Sequence, residues 1–210
     1  MKVTKFVHSC LLVETADKTI LLDPGKYTYD SHLLKPAALN KLDYLVITHE
    51  HPDHYSPELL KAVADKFPHA TVITNGDLAK KLAQLGLANP IVSGTQKGIE
   101  VFTVDHEPLP LSLPPPAHIG VHIDNLLTCP GDALKITSRD ILALPITAPW
   151  GSLKMALDAV VKFKPKKVIP VHDWHWHKHA RQAMYAMSKD LLGERGIEFI
   201  ELENGVTVEL

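Results

Sequence analysis

Cysteine is nearly absent: Cys10 and Cys129 are the only two in 210 residues. They form no CxxC pair, which excludes a disulfide framework and points to a reducing compartment. Long apolar runs are missing too, and nothing approaches the ~18 residues of a membrane span. The opening MKVTKFVHSCLLVET alternates apolar and polar residues, without an apolar h-region or a small-residue cleavage site. It reads as a strand of the mature protein and not as a signal peptide, so a cytoplasmic protein is expected. Neither charge is in excess. Lys+Arg 22 against Asp+Glu 24 leaves −2, too little to draw nucleic acid or an anionic membrane. What is abundant is histidine, thirteen residues in an otherwise ordinary globular composition. The length fits one domain over residues 1–210.

Alternation and turn residues predict strands over Val3–His8, Cys10–Glu14 and Thr19–Asp23, the last ended by Asp23-Pro24-Gly25. The apolar run Leu45-Val46-Ile47 is a strand buried on both faces. A helix from Pro57 to Phe67, a strand at Thr71–Ile73 and a helix opened by Asn75-Gly76-Asp77 and capped by Gly86 follow. Ile99–Val104, His118–Asp124 and Leu126–Cys129 are further strands. Between the first two, five prolines within residues 108–116 demand a loop, read as a structured surface excursion. Asp43–Asn75 aligns without gaps on Asp140–His172, with Asp43/Asp140, Leu45/Leu142, Leu60/Leu157, Ala62/Ala159, Val63/Val160 and Pro68/Pro165 identical. Either a duplication or chance explains the identities; in both cases two βαβ units are expected. A last helix near His177–Leu192, with Met184, Met187 and Leu191 at core spacing, and a hairpin of Ile197–Leu202 with Val206–Leu210 close the chain.

The chemistry concentrates in Thr48-His49-Glu50-His51-Pro52-Asp53-His54. Four potential metal ligands (His49, His51, Asp53 and His54) directly follow a buried strand, where sites on α/β sheets gather. Pro52 opposes a helix, so this is not the zincin HExxH arrangement. In extended backbone His49 and His51 project alike and can share one ion, leaving Asp53 and His54 for a second. Imidazole and carboxylate without thiolate suit Zn²⁺ first, with Mn²⁺ or Fe as alternatives.

The segment resembles the HxHxDH signature of the metallo-β-lactamase superfamily. Val7-His8-Ser9-Cys10 and Ile20-Leu21-Leu22-Asp23-Pro24 resemble the opening of its small stand-alone branch, the UlaG-like ascorbate-6-phosphate lactonases and uncharacterised metal-dependent hydrolases. His106, Gly131-Asp132 and Val168-Ile169-Pro170-Val171-His172 match later landmarks in order. The resemblance implies an α/β fold, a four-layer αββα sandwich of two similar half-domains. It implies two divalent ions, one held by His49, His51 and His106 and one by Asp53, His54 and His172, with Asp132 bridging. It further implies a metal-bound hydroxide attacking an ester, lactone or phosphoester of a small metabolite, with Asp53 orienting or deprotonating the nucleophile. The chain departs from the family pattern at Ala133, where Thr or Ser is usual, and in its proline-rich central segment.

Several histidines keep two readings. His8 either serves as substrate ligand or leaving-group acid, or is a buried hydrogen-bonded ring. His118 and His122 share one strand face, which either lines the cleft or faces outward; His118 is the expected substrate contact. His175, His177 and His179 start the last helix or form a second metal tract, with Trp174 and His175 as expected substrate contacts beside Trp176. An exposed Trp150 could serve a homo-oligomer interface, while His32 and His69 read as surface residues. The alternative to an enzyme is a metal-binding or sensing module that has kept its ligands and lost turnover.

Overall fold

The computed structural model describes residues 1–87 and 89–210. In chain order the elements are β1 (Lys2–Lys5), β2 (Leu11–Glu14), β3 (Thr19–Leu22), α1 (Lys26–Ser31), β4 (Tyr44–Val46), α2 (Pro57–Lys66), β5 (Thr71–Ile73), α3 (Gly76–Gln84) and β6 (Ile91–Val92). They continue with β7 (Ile99–Thr103), β8 (Ile119–Ile123), β9 (Leu127–Cys129), β10 (Ile141–Pro145), α4 (Leu153–Phe163), β11 (Lys167–Val171), α5 (Lys178–Gly193), β12 (Glu198–Phe199) and β13 (Thr207–Glu209). Single 3-10 turns lie at Pro36–Ala38 and, within the proline-rich excursion, at Pro110–Ser112. Among the described residues no helix is long and apolar enough to cross a membrane.

The chain forms two compact units, residues 1–94 with 202–210, and residues 95–201. Each owns one sheet. The first has strand order β13-β1-β2-β3-β4-β5-β6 and the second β12-β11-β10-β9-β8-β7. Both sheets are antiparallel at one end and parallel from β3 to β6 or from β9 to β12. Parallel strands need both faces covered, and β3 and β10 are accordingly buried at every position. In the first unit Leu45, Leu60 and Val72 centre the core, with Leu78 and Leu82 of α3. In the second, Leu142, Leu144, Val160 and Val168 do so, with Tyr185 and Leu192 of α5.

The two βαβ units are present, and a serine caps each helix: Ser56 accepts from Leu59 N–H and Ser152 from Met155 N–H. The gapless alignment does not survive into three dimensions. Leu45 pairs with Val72, but Leu142 pairs with Val168 and not with the aligned Ile169. The caps show the same one-residue shift, since Ser56 aligns with Leu153. The buried positions Leu60, Val63 and Ala64 therefore correspond to Ala156, Ala159 and Val160. The helix identities in the alignment are coincidences of composition, while the βαβ repeat is real.

Two expectations for the C-terminal region are corrected. Residues 197–210 form no hairpin: β12 joins the second sheet parallel to β11, and β13 joins the first antiparallel to β1. Each strand end pairs with an open sheet edge, which satisfies more backbone groups than a two-stranded ribbon would. The inward face of α5 is carried by Tyr185, Ser188 and Leu192, whereas Met187 and Leu191 are 42% and 39% exposed. The buried Ser188 closes on the Met184 carbonyl at 2.7 Å, which is how a hydroxyl comes to replace an expected apolar residue. Leu192→Ala should thus cost about 2–5 kcal/mol of stability and Leu191→Ala less than about 0.5 kcal/mol, measured by urea unfolding. Equal losses would refute this helix orientation.

Candidate metal centre

In the first unit the parallel strands β3 and β4 end side by side, and their C-terminal residues build the HxHxDH loop. Asp23, just after β3, is 4% exposed and accepts three hydrogen bonds. Its Oδ1 accepts from Thr48 N–H at 2.8 Å, and its Oδ2 accepts from the Thr48 hydroxyl at 2.9 Å and from His54 Nδ1–H at 2.8 Å. Having donated to Asp23, the Thr48 hydroxyl accepts from His49 Nδ1–H at 3.0 Å. Both rings are therefore held as tautomers that present Nε2 as the lone-pair atom, the state a metal ligand needs.

Backbone contacts shape the loop. Lys26 N–H donates to the Pro52 carbonyl at 2.7 Å and Ser56 N–H to the Pro24 carbonyl at 3.1 Å. Gly25 lies so close that an added Cβ would sit 1.8 Å from the Asp53 carbonyl oxygen, so only glycine fits. The resulting turn brings His49 Nε2 within 3.0 Å of His51 Nδ1. Ligand atoms of His8, Asp53 and His54 lie within 4.8 Å of one another. His8 is 1% exposed, with Nε2 3.1 Å from Asp53 Oδ2. Glu50 points away and pairs with Lys81.

The second unit holds His106, Asp132 and His172. His106 Nδ1–H donates to the Glu107 carbonyl at 2.6 Å and His172 Nδ1–H to the Thr147 carbonyl at 2.6 Å. A carbonyl can only accept, so each Nδ1 carries a proton and Nε2 is the atom turned toward Asp132. Those atoms face opposite oxygens of one carboxylate, His106 Nε2 at 3.4 Å from Asp132 Oδ2 and His172 Nε2 at 3.3 Å from Oδ1. Two imidazole nitrogens converging on one carboxylate make a donor set that fits a divalent cation. Cys10 offers no competing thiolate, because burial pushes its pKa far up.

Three buried residues of the two clusters have left-handed backbones, His8 at φ 59°, Asp23 at 43° and His172 at 63°. Such conformations cost about 1–2 kcal/mol each and persist where surrounding bonds impose them.

Other expected site residues land differently. His118 is 4% exposed, and both ring nitrogens meet backbone: Nδ1 at 3.2 Å from the Val104 carbonyl, Nε2 accepting from Asp132 N–H at 3.0 Å. It positions Asp132 and does not present itself to a substrate. His122 is only 6% exposed, covered on a strand face that also carries the exposed Glu100. Trp174 is 45% exposed and His175 is exposed with its ring centroid 6.3 Å from that of His172. Trp176 packs against the second core. His177 and His179 stand 5.3 Å apart by ring centroid and join no group of potential ligands among the described residues. His32 and His69 are exposed as expected.

Sequence reasoning missed four supporting residues. Trp150, expected as an exposed interface aromatic, is half-buried and donates its indole N–H to Asp132 Oδ2 at 2.9 Å. Glu107 accepts from Leu134 N–H at 3.0 Å and donates its own N–H to the Asp132 carbonyl at 2.9 Å, clamping the turn. Asp23 and Thr48 orient rings. For Asp23 a signal existed, an acidic residue between a buried strand and Pro-Gly; for the others, no spacing pattern announces the partner.

Comparison with known proteins gives the same picture. The model of the beta-lactamase superfamily domain matches residues 2–172. The chain belongs to this family. A protein of Mycobacterium tuberculosis is 28% identical over 183 residues, covering 82% of this chain and 84% of its own. A UPF0173 metal-dependent hydrolase of Ligilactobacillus salivarius is 34% identical over 99 residues, 45% of this chain and 42% of that protein. Among solved structures, the metallo-β-lactamase fold protein YhfI from Bacillus subtilis aligns with TM-score 0.71 at 13% identity, covering 100% of this chain and 99% of its own. The fold is thus the metallo-β-lactamase fold, and the α/β class expected from the sequence holds.

Because Asp23 orients both His49 and His54, Asp23→Asn should weaken Zn²⁺ binding roughly 10–100-fold, as removal of outer ligand partners does. Competition with a chelating indicator measures it; unchanged affinity would show that these bonds do not orient the rings.

Proposed function

We propose that the chain, a metal-dependent hydrolase of the metallo-β-lactamase superfamily, cleaves an ester, lactone or phosphoester bond of a small metabolite in the cytoplasm. The observation that carries this reading is Asp132, whose two oxygens each face the Nε2 of a carbonyl-anchored histidine. His49, His51 and His106 would hold one divalent cation, Asp53, His54 and His172 a second, and Asp132 would bridge. The match to the family's domain spans every one of these residues. Zn²⁺ suits the all-imidazole-and-carboxylate set best. When bound, such cations polarise the electrophilic oxygen and make water acidic enough to attack at neutral pH.

The side chains divide the remaining work. Asp53, partly exposed and in contact with His8, would take the proton of the attacking water at Oδ2. His8 can relay that proton to the leaving group, because its Nε2 already meets the same oxygen. Trp150 and His118 keep the Asp132 carboxylate and backbone fixed, so little reorganisation accompanies the reaction. The exposed ring of Trp174, beside His175, offers a flat apolar surface to the non-reacting part of a substrate. The thiols of Cys10 and Cys129 are buried and form no disulfide, which supports a reducing compartment.

A panel of lactones, thioesters and phosphodiesters, run with elemental analysis, tests the reading. Chelation should abolish turnover, His51→Ala should lower metal content, and Asp53→Ala should cost roughly 10²–10⁴-fold in kcat. Full activity in a metal-free preparation would sink the proposal, and two bound ions without turnover across the panel would favour a binding module instead.

A further inference from the structure

The second unit carries another concentration of charge that shares no residue with either cluster. A cavity of about 690 Å³ opens over the face of β7 and β8 that presents Glu100, Phe102 and His122. Glu100 registers with His122 and Phe102 with Gly120, so the four lie side by side. The floor is aromatic by construction. A Cβ on Gly120 would lie 2.3 Å from Phe102 Cζ, so glycine alone lets that ring lie flat across β8. There it stacks on His122, with centroids 4.5 Å apart and planes at 28°. Thr128 Oγ1 holds His122 Nδ1 at 3.0 Å. Burial, then the neighbouring Arg139 charge, lowers the His122 pKa, leaving a neutral ring near pH 7.

The rim is cationic. Lys135 and Arg139 come from the segment before β10, and Lys162 from the last turn of α4. Arg139 is fixed by its backbone N–H on Thr128 Oγ1 at 2.8 Å and by Nη2 on Glu100 at 2.8 Å. Its buried Nε finds no acceptor among the described residues, so the guanidinium retains unused donor capacity. Lys135 and Lys162 are exposed and make no ion pair among the described residues. Three cations thus stand over one carboxylate and a stacked ring pair. A solvated charged face needs no flat aromatic floor, and an apolar patch needs no converging cations; a ligand with both features uses both.

We infer that this cavity binds a small aromatic anion, a phosphate or carboxylate borne on a flat ring, with the ring against Phe102 and His122 and the anionic group among Lys135, Arg139 and Lys162. Guanidinium and ammonium groups suit either oxyanion, and ring faces prefer offset stacking on a planar ligand.

Titration calorimetry on the full chain with phenyl phosphate and with benzoate tests the assignment and separates the two anion types. At least one should bind saturably. That binding should weaken about tenfold in the Lys135→Ala/Lys162→Ala double variant. It should also weaken several-fold in Phe102→Leu, and inorganic phosphate or benzyl alcohol should bind more weakly than the aromatic anion. His51→Ala should leave the affinity unchanged, because the site is independent of the metal ligands. The inference is overturned if neither probe saturates at millimolar concentration, if the double variant binds as tightly as the parent, or if His51→Ala abolishes binding. The last result would place the anion at the metal cluster.

Discussion

One buried carboxylate, Asp23, organises the first unit's half of the chemistry. A carboxylate out of water is tolerable only when its oxygens are filled by donors, and here the donors are Thr48 and His54. Satisfying Asp23 therefore sets the tautomer of His54 directly and that of His49 through the Thr48 hydroxyl. The constraint runs back into the fold. Asp23 reaches Thr48 because β3 and β4 are parallel neighbours that end together, Leu22 opposite Val46. Gly25 then lets the following segment touch the Asp53 backbone.

The second unit solves the same problem with main chain. Carbonyls of Glu107 and Thr147, both beyond strand ends, take the Nδ1 protons of His106 and His172. Trp150 and His118 fix Asp132 from its side-chain and backbone ends. In both units the same rule operates: loops past the C-terminal ends of strands hold the ligand-type residues, and buried bonds on the far ring nitrogen aim the near one. The left-handed backbones of His8, Asp23 and His172 show that this aiming is bought with local strain.

Much of this was legible in the chain itself. His49, His51, Asp53 and His54 announce themselves because four ligand types crowd into one short loop after an apolar strand, and Pro52 forbids a helix there. His106, Asp132 and His172 needed the family resemblance, since a lone strand-end histidine has no distinctive spacing. Trp150 and Glu107 were not legible at all. Their roles depend on reaching Asp132 or the turn around it across loops whose paths no periodicity encodes. Likewise α5 was located to within a residue, but its buried face was misread, because Met187 and Leu191 fit a helical stripe as well as Tyr185 and Leu192 do.

By itself, the sequence determined the ligand chemistry, the order of the landmarks and the βαβ rhythm. These are local properties: donor atoms are covalent, and alternation, caps and prolines act within a few residues. Tertiary structure alone decided which histidine nitrogen faces inward, that β12 and β13 part to different sheets, and that the helix identities of the apparent repeat are fortuitous. Each of those outcomes depends on which buried polar groups and open sheet edges find partners far along the chain, and that competition is settled only when the whole unit packs.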